Sequence, residues 1–182
     1  VESKDKPKIE RTVEMFDDFE SGYGKWTIHG EAFGKAPAAG TLASQNPVSG
    51  FNGKGLVNSY LGSNDQLTGK MISKPFEIKQ EFICFLIGGG SFAKQTCMNL
   101  LIDGQIVHSA KGRSSEQLDA GWWNVKPFIG KTGFIEIVDN ATEGWGHINI
   151  DDICFSNLPP NAQMEFPEAH PYFGNVALTA LD

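Results

Sequence analysis

Short apolar runs alternate with polar residues along most of the chain, and glycine-rich turns separate them. A period of two is typical of half-buried strands, and no stretch before residue 160 shows the longer period of a convincing helix. The pattern therefore predicts roughly nine or ten short strands. They fall within residues 12–20, 25–29, 55–61, 68–73, 75–78, 81–87, 99–108, 122–125, 133–139 and 144–155.

Turn chemistry and the order of the runs favour an antiparallel architecture. Asp103 and Gly104 lie between two apolar runs, and this dipeptide favours the tight turn of a β-hairpin. Residues 81–87 are apolar almost throughout and predict a central strand, whereas residues 30–55 contain too many breakers for regular structure. Because the helices of a parallel α/β sheet are missing, the sequence predicts an all-β antiparallel β-sandwich, a jelly roll.

Acidic residues cluster at both ends of the predicted sandwich. Residues 16–20 and 144–155 both have strand patterns, and pairing between them would close the domain. That pairing would bring several carboxylates together, and hard oxygen ligands suit a structural calcium ion. The candidate metal ligands are Asp17, Asp18, Glu20, Asp151 and Asp152. The alternative is that most of these side chains face solvent at an edge.

The chain has 182 residues, which suits one domain with tails. We expect a flexible lead over residues 1–11 and the sandwich domain over residues 12–156. Four prolines follow within residues 157–182, which predict a linker or strap that can lead into another domain.

Charge and hydropathy restrict the partners. The formal net charge is −7, and Lys and Arg are scattered, whereas nucleic-acid binding needs a basic stripe. No apolar run approaches the ~20 residues of a membrane-spanning helix. We therefore expect neither nucleic acid nor a membrane as a partner.

The three cysteines, Cys84, Cys97 and Cys154, each lie in an apolar run rather than in a Cys-x-x-Cys motif. This pattern indicates buried thiols rather than a zinc site. Two of them could form a disulfide if their strands are neighbours, and an oxidising compartment would permit it. The odd count leaves at least one thiol unpaired.

Catalytic patterns are missing from the sequence. It contains no Gly-x-Ser-x-Gly motif, no histidine pair at helical metal-site spacing and no carboxylate pattern that would place two acids on one catalytic face. The sequence therefore predicts a non-catalytic module rather than an enzyme.

Aromatic residues and glycines suggest sugar binding instead. Trp145 lies between two glycines, which predicts display on a loop, and a flat aromatic face can stack on a sugar ring. Alternation places Trp122 and Trp123 on opposite faces of a strand. Gly88, Gly89 and Gly90 would let a ligand approach the backbone. The alternatives are core packing for the tryptophans and a bulge or strand exit for the glycines.

Seven motifs resemble the β-sandwich module that precedes the catalytic domain in levanase-like members of glycoside hydrolase family 32. The resemblance covers about residues 16–156 of the chain. The motifs are DFESGYGKW at 18–26, AFG at 32–34, PVSGFNGKGLVNS at 47–59, FLIGGG at 85–90, TCMNLLIDG at 96–104, IVD at 137–139 and GWGHINID at 144–151.

The resemblance implies a galactose-binding-domain-like jelly roll outside the cytoplasm, which acts as an accessory or carbohydrate-binding module of a secreted bacterial glycoside hydrolase and orients or anchors the enzyme on a glycan. The partners would be a saccharide, with fructan among the candidates, and an attached or adjacent glycosidase domain. The motif positions carried over as ligand contacts are Asn58, Gly88, Gly89, Gly90, Asn99, Asp139, Trp145 and His147. The Trp-Met-Asn-Asp-Pro-Asn motif that opens the family 32 catalytic domain is absent after residue 156, which leaves fructan specificity open. The other interpretation is a structural module that packs against a catalytic domain without binding sugar.

Overall fold

The computed structural model describes residues 9–161. Within this range eleven strands form two sheets, and one short 3₁₀ turn lies outside the sheets. In chain order the elements are β1 (Val13–Asp17), β2 (Trp26–Gly30), β3 (Val57–Asn58), β4 (Gly69–Ser73), β5 (Phe76–Glu77), β6 (Phe82–Gly89), β7 (Thr96–Ile102), β8 (Gln105–Ala110), β9 (Ser115–Asn124), the 3₁₀ turn Lys126–Phe128, β10 (Thr132–Asp139) and β11 (Ile148–Ser156).

The two sheets pack face to face, and all named strand pairs are antiparallel. Sheet A has the order β1-β11-β6-β9, with β3 also on β11, and sheet B has the order β2-β4-β10-β7-β8, with β5 also on β10. From β5 to β11 the chain crosses between the sheets after every strand except in the β7–β8 hairpin. The predicted all-β antiparallel sandwich of the jelly-roll type is confirmed.

Several local predictions are confirmed with it. The ends of the domain pair as expected, because β1 lies against β11. Asp103 and Gly104 both have positive φ, as the turn of the β7–β8 hairpin requires. Trp123 is buried in the core between the sheets, whereas Trp122 points to the opposite face of β9 and is half-buried.

The outer face of sheet A is covered by the irregular segment 31–56. Leu86 of β6 and Leu118 of β9 point outward there, and Val48 and Leu56 pack on them as a second apolar cluster. Both faces of β6 are therefore buried, which explains why its sequence is apolar without alternation. The glycines and prolines of this segment prevent a regular helix, but they do not prevent dense packing on the sheet.

The two ends of the described chain are hydrogen-bonded to each other. The Arg11 side chain donates to the Leu158 carbonyl, and the Asn157 side chain bonds the backbone of Glu10 and Thr12. These contacts lie at the predicted borders of the domain. Residues 1–8 of the expected lead over 1–11, and residues 162–182 of the expected linker over 157–182, lie outside the described residues.

No helix of residues 9–161 is both long enough and apolar enough to cross a membrane.

Candidate functional site

His147 lies at the centre of a buried polar network just before β11. Its ring is 3% exposed, its Nδ1 is 2.7 Å from Asp65 Oδ1, and its Nε2 is 3.1 Å from Glu116 Oε1. Burial disfavours the charged imidazolium, but the hydrogen bonds to Glu116 and Asp65 outweigh burial, and the pKa of His147 is raised. Both ring nitrogens face carboxylate oxygens, an arrangement that favours the doubly protonated ring.

The network continues beneath segment 31–56 on the outer face of sheet A. Glu116 Oε2 accepts hydrogen bonds from Asn149 Nδ2 at 2.9 Å and from Gln45 Nε2 at 3.0 Å. Gln45 also bonds the predicted ligand contact Asn58, whose side-chain nitrogen lies 2.8 Å from Gln45 Oε1. These bonds hold the irregular segment on the sheet.

The three predicted glycines face the protein's own backbone. A Cβ on Gly89 would lie 2.5 Å from the His147 carbonyl oxygen, and one on Gly90 would lie 2.1 Å from that of Trp145. A Cβ on Gly88 would lie 3.2 Å from the Gln117 carbonyl oxygen. The prediction that a ligand approaches the backbone here is corrected, because residues 145–147 and β9 fill that space.

Trp145 is the partly exposed member of the group. Its φ is +68°, an uncommon value for an aromatic residue, and its N–H donates to Asp65 Oδ2 at 3.1 Å. Its indole stacks on the His147 ring with centroids 5.6 Å apart and an interplanar angle of 25°. The buried network thus fixes the direction in which the indole faces solvent.

Asp139 lies at the end of β10, close to His147, with 0% of its surface exposed. Neither carboxylate oxygen has a hydrogen-bond partner among the described residues. Burial raises the pKa of Asp139 to about 7, although the nearby His147 ring limits the rise. Asp139 is too enclosed to meet a ligand directly.

Asn99 is separated from this group, contrary to the prediction. It lies on β7 of sheet B, where its Nδ2 donates to Glu136 at 3.1 Å and its Oδ1 accepts from Ser109 at 2.7 Å. Alternation explains the difference, since Met98 and Leu100 point into the core and Asn99 points to the outer face.

The five acids of the calcium hypothesis bind groups of the protein. Asp17 accepts from the Trp26 indole at 2.7 Å, and Glu20 accepts from the N–H groups of Lys54 and Gly55 at 2.8 Å. The remaining three acids also accept hydrogen bonds: Asp18 from Glu20 N–H, Asp151 from Asn52 N–H, and Asp152 from the Asn52 side chain. Within residues 9–161, no three His, Cys, Asp or Glu side chains are grouped as a metal site requires.

Calcium at these acids stays a prediction, and thermal unfolding tests it. If calcium binds the folded chain, removing it with EDTA lowers the melting temperature, because a ligand of the folded state stabilises that state. The measurement compares melts in EDTA and in excess calcium chloride, with magnesium chloride as control. Equal melting temperatures in all three would exclude the ion.

A groove of about 640 Å³ runs along one open side of the sandwich, between the edge strands β8 and β9. The half-buried His108 ring lies in its deep part, over the buried rings of Trp123 and Phe85. The His108 and Trp123 rings stack with centroids 5.8 Å apart and an interplanar angle of 11°, and Phe85 packs on Trp123 at 4.8 Å. Its volume lies within the ~300–1,000 Å³ typical of small-molecule sites.

Polar groups line the groove above the rings. The Arg113 guanidinium is 72% exposed and lies 2.5 Å from the Asp119 carboxylate at the rim. His108 Nε2 lies 2.9 Å from the Asn124 carbonyl, which can only accept, so Nε2 carries the proton. Burial lowers the pKa of His108, so the ring is neutral near pH 7 and Nδ1 is left as an acceptor. The groove therefore combines an apolar floor with donors and acceptors.

Sequence reasoning missed the groove because it depends on which strands are sheet edges. His108 and Trp123 lie fifteen positions apart and meet because β8 and β9 end the two sheets on the same side. The one available signal was the alternation that places Trp122 and Trp123 on opposite faces of their strand. Nothing in the spacing indicated that a groove would form beside it.

No protein-family model matches the chain. Over 154 residues, 82% of its length, the chain is 42% identical to a protein of Aspergillus rugulosus named "Putative glycosyl hydrolase ecdE". The match spans 22% of that protein's length. The chain is thus an all-β sandwich module homologous to one part of this longer protein.

Solved structures with a similar fold include two carbohydrate-binding modules. CBM51 of Clostridium perfringens GH95, in complex with methyl-galactose, is 11% identical with a TM-score of 0.43 and covers 79% of this chain and 99% of its own. TmCBM61, in complex with beta-1,4-galactotriose, is 16% identical with a TM-score of 0.46, and the match covers 76% of this chain and 92% of TmCBM61. The K3 adhesin domain of Lys-gingipain from Porphyromonas gingivalis is 10% identical with a TM-score of 0.49 and covers 81% and 99%. With TM-scores below 0.5, these similarities support no inference about a ligand.

Proposed function

We propose that the chain is a non-catalytic saccharide-binding module of an extracytoplasmic glycoside hydrolase, and that it orients or anchors the enzyme on a glycan. The observation that carries the proposal is the groove between β8 and β9, where the half-buried His108 ring lies on the buried Trp123 ring and polar groups form the rim. The homology to one part of a protein named as a glycosyl hydrolase supports the association with a catalytic domain.

The groove suits a sugar chemically. A pyranose or furanose ring has C–H faces that pack on aromatic surfaces and hydroxyls that need donors and acceptors. At the rim, Arg113 can donate to a hydroxyl and Asp119 can accept from one. Deeper in the groove, Nδ1 of His108 can accept a further hydroxyl proton.

A binding role fits the groove better than catalysis. Glycoside hydrolysis ordinarily needs two carboxyl groups, about 5–10 Å apart, on either side of the scissile bond. Among the described residues that line the groove, Asp119 is the single carboxylate, and Arg113 is paired with it. The groove therefore supports recognition without bond cleavage.

A second candidate surface is the exposed face of Trp145. The indole is held by Asp65 and His147 in a backbone conformation that aromatic residues rarely adopt, and such conformations concentrate at functional positions. In this version Trp145 contacts the sugar while His147, Asn58, Asp139 and the three glycines support it from below.

Calorimetric titration against a glycan panel that includes fructans tests the proposal and distinguishes the two surfaces. We expect Arg113→Ala to weaken binding by about tenfold, because one hydrogen bond to a charged group is worth roughly 1.4 kcal/mol or more. Trp145→Ala should then bind like the parent chain. The matched control is Lys131→Ala, which removes an exposed ion pair with Asp103.

The reverse result, with Trp145→Ala weakened and Arg113→Ala unchanged, would move the binding surface to Trp145. Absence of binding across the whole panel would overturn saccharide binding itself.

The alternative function is a structural module that packs on a catalytic domain. The observation that favours it is the exposed apolar edge at β1, where Ile9, Val13 and Met15 are each at least 45% exposed. This alternative predicts no response to any glycan, together with a lower melting temperature of the enzyme when the module is deleted.

A further inference from the structure

Cys84 of β6 and Cys154 of β11 lie directly opposite each other on neighbouring antiparallel strands. Ile83, Phe85 and Ile153 next to them point into the core, so both thiols point to the outer face of sheet A. Opposite residues of an antiparallel pair have Cβ atoms about 4.5–5.5 Å apart, and a disulfide needs about 3.5–4.5 Å. The register therefore brings the two sulfurs within reach of a bond that needs only a small adjustment.

The surroundings of the pair favour reaction between the two sulfurs. Cys84 is 2% exposed and Cys154 is 6% exposed, and both pack with Phe82 beneath the half-buried Trp122. The Arg11 guanidinium, which bonds the Leu158 carbonyl, places a positive charge beside them. The neighbouring Cys84 thiol lowers the pKa of Cys154 to about 7, and the Arg11 charge acts in the same direction. Cys154 is thus the better nucleophile of the two.

Cys97 provides an internal contrast. It lies on β7 in sheet B and is buried near Asn99 and Ser109, away from both other cysteines. Burial raises the pKa of the Cys97 thiol. Its position in the other sheet leaves it without a cysteine to react with inside the chain.

We propose that Cys84 and Cys154 form a disulfide that links β6 to β11 when the chain meets a disulfide oxidant. The Cys154 thiolate attacks one sulfur of glutathione disulfide, which forms a mixed disulfide and releases one glutathione thiolate. Cys84 then loses its proton and attacks the Cys154 sulfur, which closes the protein disulfide and releases the second glutathione. The two cysteines are oxidised, and one glutathione disulfide is reduced to two thiols.

The test is refolding of the chain in a glutathione redox buffer, followed by alkylation under denaturing conditions and intact mass analysis. We expect one alkylated thiol in the oxidised chain and three in the reduced chain. Trypsin separates the cysteines into peptides 80–94, 95–111 and 132–182, so the digest identifies the linked pair directly. The expected product joins 80–94 to 132–182 and leaves 95–111 alkylated.

Variants and a spectroscopic signal complete the test. Cys97→Ser should still form the bond, whereas Cys84→Ser and Cys154→Ser should each leave two alkylated thiols. Trp122 packs on the pair, so oxidation of the parent chain should quench its fluorescence and raise the melting temperature. Three alkylated thiols after oxidation, or a linked peptide that contains Cys97, would overturn the proposal. The parent digest decides the question even if a variant does not fold.

Discussion

The Glu116→Ala variant is expected to lose about 3–5 kcal/mol of unfolding free energy, because removing one partner of a buried ion pair leaves the other uncompensated. Glu116 accepts hydrogen bonds from His147, Asn149 and Gln45 in the covered network. Its loss leaves buried donors without acceptors and weakens the attachment of segment 31–56 to sheet A. Urea unfolding followed by circular dichroism measures the change.

Glu136→Ala is the matched control, because Glu136 also pairs with an amide and a cation but in a more exposed place. It accepts from Asn99 Nδ2 and lies 3.5 Å from Lys70, whose side chain is 44% exposed. We expect a loss of about 1 kcal/mol there. Glu116→Gln should fall between the two alanine variants. If Glu116→Ala cost no more than Glu136→Ala, the network would not hold the segment.

The strands and the class of fold could be predicted from the sequence because they depend on local periodicity. Alternation identified the closing strand and the opposite directions of Trp122 and Trp123, and Asp103-Gly104 identified the hairpin. The β9 strand was predicted over 122–125 but spans Ser115–Asn124. Its first half contains the charged residues Glu116 and Asp119, so the alternation typical of a strand is weak there. Tertiary packing stabilises the strand despite this weak local signal.

The candidate site was harder to predict, because polar residues with similar sequence signals have different surroundings. His147 and Asn58 do come together, but both are buried and bonded within the protein. Asn99 has the same chemistry as Asn58 and lies on the other sheet. Whether an amide faces a ligand or another side chain depends on whether segment 31–56 packs over it. No local sequence pattern predicts where that segment packs.

Both faces of sheet A are covered, which suggests how the module can be rigid beside an open groove. One face of the sheet packs on the core, and the other carries the polar network and the Leu86–Leu118 cluster. Strand β9 takes part in all of these and also forms one wall of the groove. The network therefore positions a groove wall as well as Trp145, which links the stability of the module to either binding surface.

The free energy of unfolding is expected to decrease as the pH rises from about 4 to about 8. Burial raises the pKa values of Asp139 and Asp151 in the folded chain to about 7, from the usual 3.8. Between these values the folded chain holds protons that the unfolded chain has released, so unfolding becomes easier as pH rises. His147 acts in the same direction, because its pKa is higher in the folded chain than in the unfolded chain. The protonated ring therefore contributes its full stabilisation of the folded state below about pH 6.5, and this contribution is lost as the pH rises through the pKa of His147 in the folded chain.

Asp139→Asn should remove part of this dependence and make the chain more stable than the parent at pH 8. At about 1.4 kcal/mol per pKa unit, the buried charge of Asp139 costs up to about 4 kcal/mol above pH 7, and the amide carries no charge at any pH. Melting temperatures from pH 4 to pH 8 measure the effect. Asp103→Asn, in the exposed hairpin turn, is the control and should keep the parent's slope. If the pH profile of Asp139→Asn ran parallel to that of the parent chain, Asp139 would be charged in the folded chain without an energetic cost. Its carboxylate oxygens are fully buried and have no hydrogen-bond partner among the described residues, which argues against that outcome.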